Sequence, residues 1–201
     1  MKILKPNESY TFSRIFGLSA EVDDIVADFG YSLERGRLHL SEHGGELERL
    51  QELYDRISEV LPFVSLTSEM ARREILISRV VTEVVHYTKA QLRIEYPLKV
   101  SEQLQGSLDY LLRTETQVIV IEAKNEDLTN GFKQLAAEMI ALDHWMESEQ
   151  EMLIGAMTTG VLWQFSRLNR RTKHIEQGLE SYRVPEDIET LMRILGHALL
   201  K

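Results

Sequence analysis

The 201-residue chain contains no cysteine. Disulfides and thiolate metal sites are therefore excluded, and a reducing cytoplasm is the expected setting. No apolar run approaches the roughly 20 residues that span a bilayer, so no membrane partner is expected. The leading segment MKILKPNESY has no apolar core of the signal-peptide kind. The six histidines show no H-x-x-x-H or comparable ligand spacing, which argues against zinc. There is no Walker A lysine loop and no G-x-G-x-x-G, which excludes a nucleotide-driven motor in this chain. Positive charge is scarce, with 23 Lys and Arg against 32 Asp and Glu, a net charge of −9. Proteins that grip a nucleic-acid backbone through bulk charge are usually basic, so this chain alone would hold DNA only weakly.

The composition itself, 43% hydrophobic and 27% charged, suits a soluble domain with a real core. The length favours one main domain with a small appended unit. Residues 1–62 read as an N-terminal extension with helices and a small hairpin. SYTFSRIFGL is a strand or an irregular lead-in. SAEVDDIVADFGY is a short helix capped by Ser19 and stopped by Gly30. YSLERGRLHL alternates around Arg35-Gly36 and predicts a hairpin. Leu47, Leu50, Leu53, Tyr54, Ile57 and Leu61 recur at helical spacing before Pro62. From residue 63 the order is helix, strands, helix, strands: an α/β domain around one mixed central sheet, closed by a C-terminal helix after Pro185. A helix capped by Thr67 or Ser68 runs to His86, QLRIEYPLKV is a strand with Pro97 at an edge or bulge, and Thr129–Met146 is a second long helix. MLIGAMTTG, VLWQFSRL and RTKHIEQG are the later strands.

Charge interrupts this pattern at two neighbouring points in GSLDYLLRTETQVIVIEAK. Residues two apart on a strand share a face. Val118, Val120, Glu122 and Lys124 therefore point one way, and Ile119, Ile121 and Ala123 the other. Both faces are apolar, as in a central strand covered on both sides. RTET is short enough for a hairpin turn, which brings Asp109 near Glu122. Charges inside a sheet are expensive unless they are paired or bind something. Two carboxylates from adjacent strands are natural ligands for Mg²⁺, a hard ion that prefers oxygen. A lysine beside them can hold or deprotonate a water, or stabilise charge developing on phosphorus. That is chemistry for hydrolysing a phosphodiester.

A strand carrying Asp109, followed by a strand ending in Glu122-Ala-Lys124, resembles the PD-(D/E)XK nuclease superfamily, with its restriction endonuclease-like core. The proline usual before the Asp is replaced by Leu108. Gln134 on the following helix resembles the extra Gln motif of several branches. Thr158–Leu168, TTGVLWQFSRL, is similar to the TNG-x-x-W-x-F segment in the N-terminal nuclease domains of type I restriction enzymes and their stand-alone relatives. The resemblance covers about residues 66–177. It implies Mg²⁺ (or Mn²⁺) held by Asp109 and Glu122, Lys124 acting on the attacking water, and Gln134 orienting the site or the substrate. It also implies an acidic residue from the first long helix. Among Glu69, Glu74 and Glu83, the residue in the stripe of Met70, Ile77, Val81 and Val85 is Glu74. Trp163 and Phe165 share a strand face and are assigned to the core.

Arg167, Arg170, Arg171 and Lys173, with His174, form the candidate phosphate-contacting patch, with an ordinary solvated hairpin as the alternative. The implied activity is hydrolysis of DNA in restriction, defence or repair. The rival is a catalytically idle nuclease-fold interaction module, or a subunit of a DNA-processing complex. A homodimer or larger assembly fits the resemblance.

Overall fold

VIVIEA is apolar on both faces, and the chain builds a sheet outward from it. In the computed structural model, which describes residues 3–5, 7–124 and 127–200, this segment is strand β4 (Val118–Ala123), buried along its whole length. Its neighbour β3 (Leu104–Arg113) runs antiparallel, with Tyr110 opposite Ile121. The edge strand β2 (Gln91–Ser101), which carries Pro97, pairs antiparallel with β3. On the other side β5 (Met152–Thr158) is parallel to β4, so the chain must cross back between them. It does so through α6 (Leu128–Trp145). Beyond β5, β6 (Leu162–Asn169) and β7 (His174–Gly178) form an antiparallel hairpin. The short β8 (Tyr182–Arg183) pairs with β6. The result is an open mixed sheet with helices on both faces.

One face is covered by α6, over which lie α1 (Phe12–Phe16) and α2 (Val22–Asp28). The other carries α3 (Leu50–Val60), α5 (Ser78–Thr88) and α7 (Ile188–Leu200). Residues 131–142 of α6 are all buried, because the sheet lies beneath them and the leading helices above.

Several expectations from the sequence are corrected. Ser9–Leu18 is neither strand nor irregular: Thr11 caps α1 by accepting the Arg14 N–H. Ser19 is not the cap of α2, whose N-cap is Glu21. Tyr31–Leu40 makes no hairpin. Its alternation marks one strand, β1 (Ser32–Gly36), which pairs in parallel with β7 at the sheet edge. Sequence alternation reports a half-buried strand but not its partner. The helix entered at Ser68 does reach Thr88, but in three parts: α4 (Glu69–Arg72), a π-helical turn (Arg73–Ile77) and α5.

The end of the sheet at the start of β5 is fastened by Arg170. Its guanidinium donates to the Asp143 carboxylate at 2.7 Å and to the carbonyls of Met146, Ser148 and Gln150 at 3.1, 2.6 and 2.7 Å. Tyr31 donates its hydroxyl to the other Asp143 oxygen at 2.5 Å. One side chain thus holds the exit of α6, the entry to β5 and the β6–β7 turn. Removing a buried charge that satisfies several acceptors leaves its partners unpaired. Arg170→Ala is expected to lower unfolding stability by about 2–4 kcal/mol in urea titrations. Arg171→Ala, at an exposed position, should change it by less than about 0.5 kcal/mol. Equal losses in the two would contradict this assignment.

Candidate functional site

The ladder between β3 and β4 ends at Tyr110–Ile121, and the next residues are Asp109 and Glu122, level with one another. Beyond that point a side chain takes over from the backbone. Asp109 Oδ2 accepts the Ala123 N–H at 2.8 Å. On the other side of β4 the ladder to β5 runs one step further, with the Lys124 N–H donating to the Thr158 carbonyl at 2.8 Å. The backbone at Lys124 is thereby fixed where the strand ends. Gly131, in the first turns of α6, makes room for it. A Cβ there would lie 2.9 Å from Lys124 Cγ and 2.7 Å from Met157 Sδ.

Lys124 Nζ lies 2.5 Å from Glu122 Oε1 and donates to Gln134 Oε1 at 2.9 Å. Gln134 Nε2 donates in turn to Glu138 Oε1 at 2.9 Å. The ammonium sits 5.0 Å from the ring centroid of Phe16, at the end of α1. Lys133 fastens the same leading segment by donating to the Leu18 carbonyl at 2.7 Å. Part of the N-terminal region is therefore the roof of the cluster.

Burial dominates the electrostatics. Glu122 is 1% exposed and Glu138 fully buried. Loss of hydration pushes the Glu122 carboxyl up, and the Asp109 charge adds to this. Loss of hydration and the neighbouring Glu122 push Glu138 well up. Glu122 Oε2 and Glu138 Oε2 are each buried with no other hydrogen-bond partner. The two carboxyls interact directly, so their protonation is linked. Burial also raises Asp109, although the Ala123 N–H, Arg73 and Lys124 pull it back. For Lys124, burial acts downward but the attraction of Glu122 outweighs it, and the ammonium holds its proton more tightly than a free lysine.

Arg73 enters from the π-helical turn. Its Nη1 lies 2.6 Å from Glu95 Oε1 and 3.5 Å from Asp109 Oδ1, and its guanidinium lies over the Tyr110 ring at 5.3 Å. The same turn takes Glu74 out of the buried stripe in which the helical spacing placed it. A π turn inserts a residue and rotates the phase of everything after it. Leu76 and Ile77 face the core, whereas Glu74 is exposed and Met70 is 68% exposed. The buried glutamate of this helical stretch is Glu83, which pairs with Arg49 of the neighbouring α3 region at 3.2 Å.

Asp109, Glu122, Lys124 and Gln134 are thus brought together; Glu74 is not in this hydrogen-bonded set. Among the described residues, no three His, Asp or Glu side chains are arranged to enclose a metal ion. The TTGVLWQF segment supports the cluster from below. Gly160, at φ +85°, turns the chain, Trp163 Nε1 donates to the Gly160 carbonyl, and Trp163 and Phe165 are core residues as expected.

The basic residues stand elsewhere. Because β4 and β5 are parallel, Ala123 pairs with Thr158 at one end, while Met152 pairs with Asn169 at the other. Arg167, Arg170, Arg171 and Lys173 therefore lie at the sheet end remote from Glu122. Arg167 is bound by both oxygens of Glu176, and Arg170 is spent on the contacts above. Arg171 faces Glu151 at 3.5 Å, and Lys173 lies over the Tyr31 ring. These residues do not stand beside the Asp109, Glu122 and Lys124 cluster. A cavity of about 320 Å³ lies near that remote end, lined by residues including His39, Gln117, Gln150, Glu151, Arg167 and His197. It gathers no comparable set of buried charges.

The sequence placed Glu138 on the Gln134 face without a role and set Arg73 against Glu69 or nucleic acid, and it gave no sign of Glu95 or Phe16. Glu138 carried a signal, being four residues after Gln134 on the same helical face. The others depend on the π turn and on long-range docking. No protein-family model matches the chain, and no curated protein matches it in sequence.

The carboxyl pair yields a pH prediction. A carboxyl whose folded pKa is raised contributes stability that is present below its unfolded value, near 4.5, and is lost as pH rises through the folded value. Glu138→Gln removes that loss. Its melting temperature relative to the unaltered protein should rise between pH 5 and pH 8 by at least about 3 °C. A difference that does not vary with pH would contradict a raised Glu138 carboxyl.

Proposed function

We propose that the chain is a metal-dependent nuclease of the PD-(D/E)XK type, with a restriction endonuclease-like core, that hydrolyses phosphodiester bonds in DNA. The observation that carries the reading is the buried Glu122–Lys124 pair at the end of a central strand, beside Asp109 and with one Glu122 oxygen bare. A surface ion pair needs no such burial, and a core needs no such charge. The order of the motifs adds support: Asp109 on β3, Glu122-Ala-Lys124 on β4, then Gln134 on α6 and the TTGVLWQF turn.

The donor set suits Mg²⁺. The available oxygens are hard carboxylate donors, and this ion keeps several waters rather than needing a full protein cage. Asp109 and Glu122 would hold it; bound there, it supplies Lewis-acid stabilisation of the phosphate charge. Lys124 holds its proton, so its role is that of a donor. It orients the attacking water and stabilises the negative charge that builds as the water oxygen bonds to phosphorus. The bond from phosphorus to the leaving sugar oxygen breaks, the attacking water gives up a proton to solvent, and the leaving oxygen takes one up from solvent. Gln134 holds Lys124 at the angle this requires. Glu74, exposed on the π turn, receives no direct role here.

A second reading, an idle interaction module, is favoured by one specific contact. Arg73 already stands against Asp109 Oδ1, with Glu95 behind it, and supplies internally a positive charge that a metal would bring. Cleavage of supercoiled plasmid and of single-stranded DNA in Mg²⁺ and Mn²⁺ separates the two. The nuclease reading predicts metal-dependent cutting that falls by about 100-fold or more in Lys124→Ala. Cutting at equal rates by both proteins, or by neither, would reject it.

A further inference from the structure

We propose that Glu138 is a positioning residue for Lys124, acting through Gln134. The inference rests on the reading of Lys124 as the donor in hydrolysis and extends it to a residue that the motif comparison does not include. Glu138 is 0% exposed and touches no solvent, so it has no route to a substrate. Nor does it serve packing, because a fully buried carboxyl destabilises a core that an apolar side chain of similar size would fill. Its neighbours along α6, Leu135, Ala137, Met139 and Ala141, are such residues.

Its polar contact explains its presence. The Gln134 amide has an accepting and a donating end. Lys124 has only donors, so the amide oxygen must face it. That orientation leaves the Gln134 NH₂ pointing into the protein interior, where it needs an acceptor. Glu138, one helical turn along, is that acceptor. Without it the buried NH₂ loses its partner, and the amide has no reason to keep its oxygen on Lys124. The ammonium would then be held by Glu122 alone and lose its direction. Glu138 therefore fixes an angle rather than a charge. A glutamine, whose own carbonyl oxygen accepts, should replace it; a leucine should not.

The test labels Lys124 with trinitrobenzenesulfonate at pH 8, with peptide mass spectrometry as the readout. Glu138→Leu should label about fivefold or more faster than the unaltered protein, the equivalent of one lost hydrogen bond. Glu138→Gln should restore slow labelling. If Glu138→Leu does not fold, Glu138→Ala removes the same acceptor and must show the same increase. In plasmid cleavage, Glu138→Leu should reduce kcat by about tenfold or more with KM within twofold, and Glu138→Gln should recover most of that loss. Unchanged labelling in Glu138→Leu, or equally fast labelling in Glu138→Gln, overturns the proposal. If the unaltered protein cuts no DNA, the labelling still decides the positioning role, and only the nuclease reading falls.

Discussion

A lysine and a glutamate paired inside the protein set the terms for everything around them. Lys124 and Glu122 lie 2.5 Å apart, 15% and 1% exposed at their side chains. Two charges taken out of water are tolerated only when the remaining donors and acceptors are answered. Gln134 answers the ammonium and Glu138 answers Gln134, while one oxygen each of Glu122 and Glu138 stays buried without a hydrogen-bond partner. The Asp109 carboxylate closes the end of the β3–β4 ladder beside them. Each group answers a neighbour, so removing one alone leaves another without its partner.

This constraint reaches into the architecture. Helix α6 must bring two polar residues inward on an otherwise apolar face, and it is buried on its outer side as well. The leading helices supply that cover, with Phe16 over Lys124 and the Leu18 carbonyl holding Lys133. At the far end of the sheet, Arg170 performs a different task with the same chemistry, satisfying backbone carbonyls where α6 ends. One cation organises a cluster of carboxyl and amide groups, and the other organises a joint.

Much of this was legible in the sequence, for physical reasons. Four successive apolar residues, Val118–Ile121, bounded by charge, fix a central strand because few other elements bury both faces over so short a length. Asp109 and Glu122-Ala-Lys124 stood out because charge inside such strands needs an explanation. What escaped was whatever depends on partners distant in sequence. The alternation in Tyr31–Leu40 predicted strand character correctly but named a local partner, when β1 pairs across the fold with β7. The choice of Glu74 assumed 100° per residue through Arg73–Ile77, where a π turn breaks that count. The run Arg167–Lys173 looked like a free basic surface. Arg167 and Arg170 are instead committed to Glu176, Asp143 and nearby carbonyls, commitments no local pattern reveals.

If the buried charges serve chemistry and not folding, replacing them by apolar side chains should cost the fold nothing. The measurement is the unfolding free energy at pH 8 of the double variant Glu122→Leu/Lys124→Met, which replaces the pair by apolar side chains of similar length. Stability unchanged or raised, by up to about 4 kcal/mol, is expected. A loss of about 3 kcal/mol or more would mean that the pair holds the fold together.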